Sequence, residues 1–144
     1  CADGNSCIQV LDLLNGALTQ IGPSGGNAGA QRASWSPDGR RIAFDLGLNG
    51  LHVSTAEGAD EVELVPATTD GWPWNATWSP DGRMIAFQMS KGALHQLYVI
   101  NADGTGMRRL TTGGWPRWSP APRARSSTAI RSTSWGQLKV HARD

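Results

Sequence analysis

The sequence predicts an all-β repeat protein, in which short antiparallel strands recur as four-stranded units. The stretch Ala33-Ser34-Trp35-Ser36-Pro37-Asp38-Gly39-Arg40-Arg41-Ile42-Ala43-Phe44 returns almost unchanged as Ala76-Thr77-Trp78-Ser79-Pro80-Asp81-Gly82-Arg83-Met84-Ile85-Ala86-Phe87, with a shorter copy at Trp118-Ser119-Pro120. The tryptophans fall at 35, 78 and 118, intervals of 43 and 40 residues, which is the spacing of stacked supersecondary units rather than of heptads. Turn glycines at 39, 58, 82 and 104 punctuate the units and leave no room for a helix between residues 31 and 111.

Each unit opens with a strand that ends at the repeated tryptophan. Ser-Pro-Asp-Gly then turns the chain, because Pro presets φ at one corner and Gly accepts the positive φ at the other. The apolar runs Ile42-Ala43-Phe44 and Ile85-Ala86-Phe87 are too short for a helix and suit a second strand buried on both faces. Leu51-His52-Val53 and Leu97-Tyr98-Val99-Ile100 are rich in β-formers and read as third strands. Glycine turns at Ala56-Glu57-Gly58 and Asn101-Ala102-Asp103-Gly104 lead into fourth strands at Val62-Glu63-Leu64-Val65 and Met107-Arg108-Arg109-Leu110-Thr111.

Four antiparallel strands in about 40 residues match the blade of a β-propeller, whose sheet faces pack on neighbouring blades. Trp-Ser-Pro-Asp-Gly-Arg-x-Ile-Ala-Phe, followed by Leu-Tyr-Val-Ile-Asn-Ala-Asp-Gly and Arg-Arg-Leu-Thr, resembles the repeat of the TolB-like propeller family over most of residues 7 to 120. The expected division is a partial blade at 1–24, blades at 31–66 and 74–112, and a partial, degenerate blade at 115–144. Closed propellers need four to eight blades, so the chain reads as an arc cut from a larger ring. Such an arc exposes blade faces and sheet edges, which favours association through the terminal blades or their fraying.

Sliding the repeats over one another places Ile8-Gln9-Val10-Leu11-Asp12 on Leu97-Tyr98-Val99-Ile100-Asn101, so the chain opens at a third strand. At the other end Gln137-Leu138-Lys139-Val140 aligns with Gln96-Leu97-Tyr98-Val99 and reads as the third strand of the last blade. Between them, Ala121-Pro122-Arg123-Ala124-Arg125-Ser126-Ser127-Thr128-Ala129-Ile130 stands where a turn glycine and an apolar run belong, as in a degenerate or frameshifted segment. Cys1 and Cys7 fall on either side of the Asp3-Gly4-Asn5 turn, where a cross-strand disulfide is geometrically compatible and two separate thiols are the alternative. A lipid-modified Cys1 fits less well, because the alignment calls for another strand before it.

Net charge is only +1, which argues against nucleic acid as a partner. The tail after residue 120 carries Arg123, Arg125, Arg131, Lys139 and Arg143 against one acid, Asp144, leaving 8 bases against 11 acids before it. No apolar run approaches the roughly 20 residues of a spanning helix. Gly22-Pro23-Ser24-Gly25-Gly26 fits the letter of a hydrolase G-x-S-x-G pattern, but Pro precedes the serine and Asn27-Ala28-Gly29 cannot start a good helix, so a linker is expected instead. His52, His95 and His141 lie one blade apart rather than converging, and Asp38, Asp81 and Asp103 sit beside turn glycines as turn formers. No catalytic residue, metal site or cofactor is therefore expected.

Trp72-Pro73-Trp74, with its reduced copy Trp115-Pro116-Arg117, is placed by the repeat in the connection between the outer strand of one blade and the inner strand of the next. Trp72, Trp74 and Trp115 are candidate partner-binding residues, since indole rings there make a flat amphipathic anchor for a protein or peptide; plugging the gap between blades is the other reading. The family resemblance implies a non-enzymatic protein-interaction module of the bacterial cell envelope, periplasmic or otherwise extracytoplasmic. The same repeat also implies two alternatives, the gating propeller of a prolyl-oligopeptidase-like serine peptidase and a sensor-like propeller of a kinase or transcriptional regulator.

Overall fold

The computed structural model describes residues 7–22, 30–69, 71–119 and 138–140. Within them the chain is almost entirely strand, with a single turn of 3-10 helix at Gly47–Asn49. Two complete antiparallel sheets carry the fold. The first runs in spatial order β3 (Gln31–Trp35), β4 (Arg41–Asp45), β5 (Leu51–Thr55) and β6 (Val62–Val65). The second repeats it with β7 (Trp72–Trp78), β8 (Met84–Lys91), β9 (Leu94–Asn101) and β10 (Arg108–Thr112). A two-stranded sheet of β1 (Ile8–Leu11) and β2 (Leu18–Ile21) precedes them, and another of β11 (Pro116–Trp118) and β12 (Leu138–Val140) follows. The first strands of successive sheets, β3, β7 and β11, lie side by side. The architecture is a partial propeller arc.

Two strands differ from expectation. Trp72, Pro73 and Trp74 are the first three residues of β7 rather than part of the connection before it. Gly71 permits this early start, because a Cβ there would run into the Ser90 carbonyl of β8. Leu138–Val140 pairs directly with β11, Trp118 opposite Leu138, as Trp78 stands opposite Ile85 in the complete sheet. It thus takes the place of a second strand, not a third. The intervening sequence offers no apolar run at 121–130 to fill that place, and the next β-forming segment does.

The repeated apolar runs are the core. Ile42, Phe44, Ile85 and Phe87 are all at most 1% exposed, and burying each side chain contributes about 1.5 to 3 kcal/mol. Ile42 and Phe44 pack toward the β1–β2 sheet with Ile21 and Ala30. Ala43, Leu51, Val53 and Val65 meet Trp78, Ile85, Phe87 and Ile100 between the two complete sheets. Met84, Ala86 and Val99 turn toward Trp118. Each second strand is thus buried on both faces, as its unbroken apolar run requires.

The Ser-Pro-Asp-Gly turns are built identically. Ser36 N–H donates to the Arg41 carbonyl at 2.8 Å and Gly39 N–H to the Ser36 carbonyl at 2.9 Å; Ser79, Met84 and Gly82 repeat the pattern at the same two distances. The Ser36 hydroxyl donates to Asp38 at 2.5 Å and accepts from Arg41 N–H at 2.9 Å, and the Ser79 hydroxyl does the same with Asp81 and Met84. Gly39 and Gly82 take φ of 71° and 70°, a region closed to most side chains. These serine hydroxyls hold Asp38 and Asp81 below the usual carboxylate pKa, and Thr105 does so for Asp103.

The three repeat tryptophans each end the first strand of their sheet. Two of them reach across to the preceding blade: Trp78 Nε1 donates to the Ser34 carbonyl and Trp118 Nε1 to the Thr77 carbonyl, both at 3.1 Å. Both acceptors belong to the residue just before the preceding tryptophan. The Arg41 guanidinium lies 4.6 Å from the Trp78 ring centre and covers the same ring from β4.

A second inter-strand device recurs at the other end of these strands. Arg32 and Asn75, 43 residues apart, both take positive φ (46° and 57°) within interruptions of the β3–β4 and β7–β8 ladders. Arg32 Nη1 donates to Asp45 Oδ2 at 2.9 Å, and Asn75 Nδ2 donates to Gln88 Oε1 at 3.3 Å. Asp45 is 2% exposed, and its Oδ1 has no hydrogen-bond partner among the described residues. Burial pushes its pKa up, and the hydrogen bond and charge of Arg32 only partly offset that.

Three outcomes follow from this packing. Trp78→Phe should cost about 1 kcal/mol by leaving the Ser34 carbonyl unpaired, whereas Trp78→Ala should cost about 3 to 5 kcal/mol, both read from denaturant unfolding. The stability contributed by Asp38, Asp81 and Asp103 is fully present above their unfolded pKa of 3.8 and is lost as pH falls below it; Ser79→Ala should flatten that acid limb. Asp45 has the opposite sign: its contribution is present at low pH and lost as pH rises through its raised pKa. Asp45→Asn should therefore gain stability relative to wild type between about pH 4 and pH 7, and urea midpoints at the two pH values measure it.

Candidate functional site

The early start of β7 brings together residues far apart in the chain. Trp72 and Trp74 occupy alternate positions of β7 and so project to one face of the sheet, while Pro73 between them is buried on the other. Trp115 immediately precedes β11 and packs edge-to-face on Trp74, ring centres 5.5 Å apart. From the preceding blade, the Arg32 guanidinium lies 5.1 Å from the Trp74 ring centre. His95 of β9 closes the cluster with its ring centre 5.3 Å from that of Trp74, and its Nδ1 sits 3.2 Å from the Ser90 hydroxyl.

Trp74 is the centre of this rim. It is partly buried, it contacts side chains from both neighbouring sheets, and its indole N–H is a buried donor with no acceptor among the described residues. Trp72 and Trp115 are 42% and 54% exposed. Trp74 therefore fills the gap between blades, and the exposed indole surface comes from Trp72 and Trp115 on either side. The ion pair to Asp45 holds Arg32 in place, with its own side chain still 45% exposed. The rim thus combines exposed aromatic surface with a fixed cation.

Arg32 and His95 were not legible as members of this cluster. The repeat presents Arg32 as an ordinary strand residue, and only its positive φ turns the side chain toward Asp45 and Trp74. His52 stands apart from the rim, with Nε2 3.1 Å from the Asn49 carbonyl and Nδ1 2.9 Å from Glu61. Ser24, His141, Cys1 and the 121–136 segment lie outside the described residues, and the Cys1–Cys7 pairing with them. Toward the tryptophan ends of the same strands, β3, β7 and β11 line an open hollow of about 580 Å³ bounded by Ser34, Thr77, Pro80 and Trp118.

No protein-family model matches the chain, and no curated protein does. Solved structures do. A protein described as TolB from Agrobacterium tumefaciens superposes with a TM-score of 0.62 at 19% identity, over 74% of this chain and 41% of its own. A chain of a nidogen–laminin complex gives 0.60 at 21% identity, over 76% and 42%. The β-propeller domain of the trilobed protease from Pyrococcus furiosus gives 0.54 at 14% identity, over 95% of this chain and 46% of its own. The chain spans less than half the length of each of these structures. Its fold is that of TolB-like and related β-propellers.

Proposed function

We propose that this chain is a non-enzymatic interaction module that docks a protein or peptide on the rim formed by Trp72, Trp74 and Trp115. The observation that carries the reading is the exposure of Trp72 and Trp115 beside a Trp74 that is already held by both neighbouring blades. Rigid, part-exposed indoles present large contact area at low entropic cost, which is how interface anchors work. Arg32, with its side chain 45% exposed, adds a donor, so a peptide segment bearing an acceptor, a carboxylate or a backbone carbonyl, complements the rim.

The resemblance of the repeat to TolB-like propellers supports an extracytoplasmic site in the bacterial envelope, with protein rather than nucleic acid as partner. No described helix is long and apolar enough to cross a membrane. One observation favours a second reading: the match to a protease propeller domain extends over 95% of this chain. In that reading the rim would face a peptidase domain and gate its substrate. The two separate on whether the rim binds peptides by itself.

Selection of a displayed peptide library on the chain, followed by affinity measurement, tests the proposal. Trp115→Ala removes a half-exposed ring that also packs on Trp74, so stability should fall by only about 0.5 to 1.5 kcal/mol while binding weakens by about 2 kcal/mol or more. Selected peptides that bind Trp115→Ala and Trp72→Ala as tightly as wild type would place the partner surface elsewhere.

A further inference from the structure

We propose that the crevice between the two complete sheets is a binding site for a short zwitterionic peptide with apolar side chains, its carboxylate on Arg41 and its ammonium on Asp60. The crevice encloses about 360 Å³, at the lower end of the range of small-molecule sites, which suits a dipeptide or tripeptide rather than a longer chain. It shares no residue with the tryptophan rim.

One wall is a face of the first sheet. Arg41 stands opposite Thr55, Ala43 opposite Val53 and Val53 opposite Val62, and cross-strand partners project to the same side, so a guanidinium sits at the end of an apolar strip that Leu64 extends. The other wall is the turn between β9 and β10, which brings Ala102 and Asp103 to the crevice. Asn101 N–H donates to the Thr105 carbonyl and Gly104 N–H to the Asn101 carbonyl, both at 2.9 Å, and Ala102 N–H fixes the turn to the Arg83 carbonyl at 2.8 Å. Both walls are thus set by the fold itself.

Arg41 supplies the anion site. Its guanidinium lies 4.6 Å from the Trp78 ring centre, and among the described residues it has no hydrogen-bond or ion-pair partner. The nearby Asp38 carboxylate is held by the Ser36 hydroxyl and does not reach it. A guanidinium stacked on a ring presents its donors as a fork that fits a carboxylate. Asp60 lines the same hollow with a carboxylate that is likewise unpaired among the described residues. Its backbone is placed at φ 51° just after Ala59, whose carbonyl accepts from Thr55 N–H at 2.9 Å and whose N–H donates to the Thr55 hydroxyl at 3.2 Å. Asp103, by contrast, already accepts from the N–H and the hydroxyl of Thr105, at 2.9 and 2.7 Å. One uncommitted cation and one uncommitted anion on apolar walls complement a molecule that carries both charges and an apolar body. A simple monocarboxylate would meet Asp60 with nothing to pair it, and a simple amine would do the same to Arg41. Arg83 lines an adjoining hollow that shares Arg41, Ala102 and Asp103, adding a second positive charge at the carboxylate end.

Titration of leucyl-leucine into the isotope-labelled chain, followed by two-dimensional NMR, tests the site. The Trp78 indole and Ala102 amide signals should shift saturably, with a Kd of about 1 mM or tighter. N-acetyl-leucyl-leucine lacks the ammonium and leucyl-leucine amide lacks the carboxylate, and each should bind at least about tenfold more weakly. Asp60→Asn retains a residue that tolerates positive φ; it should weaken leucyl-leucine by at least about tenfold and leave the acetylated peptide unchanged. Arg41→Gln should weaken leucyl-leucine as much and leave the amide unchanged. Because Arg41→Gln also removes the contact with Trp78, its unfolding midpoint is measured alongside, and the exposed Asp60→Asn decides the case if that variant unfolds. Trp115→Ala, on the rim, should bind leucyl-leucine as wild type does. The absence of a saturable shift, equal affinity for the three peptides, an Asp60→Asn variant that binds leucyl-leucine as tightly as wild type, or loss of binding in Trp115→Ala would overturn the proposal.

Discussion

One hydrogen bond sets the relation between blades: the indole N–H of a repeat tryptophan donating to a backbone carbonyl of the preceding inner strand. Sheet faces alone pack with little directional preference, because apolar burial is non-directional and a flat face tolerates sliding. A donor at 3.1 Å from one defined carbonyl removes that freedom. Since Trp78 and Trp118 use the carbonyl of equivalent residues, each blade repeats the same step from its predecessor. Between the two complete sheets, Ala43, Leu51, Val53 and Val65 meet Ile85, Phe87 and Ile100 across the step that the Trp78 bond sets.

The Ser-Pro-Asp-Gly turn supports the latch from below. Its serine closes the turn through backbone and hydroxyl together, so the tryptophan just before it leaves the strand at a defined angle. The aspartate is held by the serine hydroxyl and by the backbone N–H of the following arginine. Three carboxylates that in another context would suggest paired acid chemistry are thereby committed to turns, separately, one per hairpin.

At the far ends of the same strands the packing rule changes. Positive φ at Arg32 and Asn75 interrupts the ladders and sends these side chains inward, to Asp45 and Gln88. The space opened between blades there is filled by Trp74, and the chain before β11 lays Trp115 on it. One end of each inner strand is thus closed by a hydrogen-bonded turn and the other by aromatic and cationic side chains. The second end carries the exposed indoles, and it is the end with surface to offer a partner.

The sequence by itself determined the strands, the turns and the buried runs, because each of these is decided within about ten residues. Pro-Asp-Gly has few conformations, Ile-Ala-Phe is apolar on both strand faces, and the tryptophan period reports the blade directly. It also marked Trp72, Trp74 and Trp115 as belonging together, since the Trp-Pro pair recurs in step with the repeat. What only the tertiary structure decided involves residues on different blades. The partnership of Arg32 with Trp74, the acceptors of Trp78 and Trp118, and the edge on β11 that Leu138–Val140 occupies all depend on how sheets sit against each other. Local propensity states which residues can form a strand; it carries no information about which open edge that strand will meet.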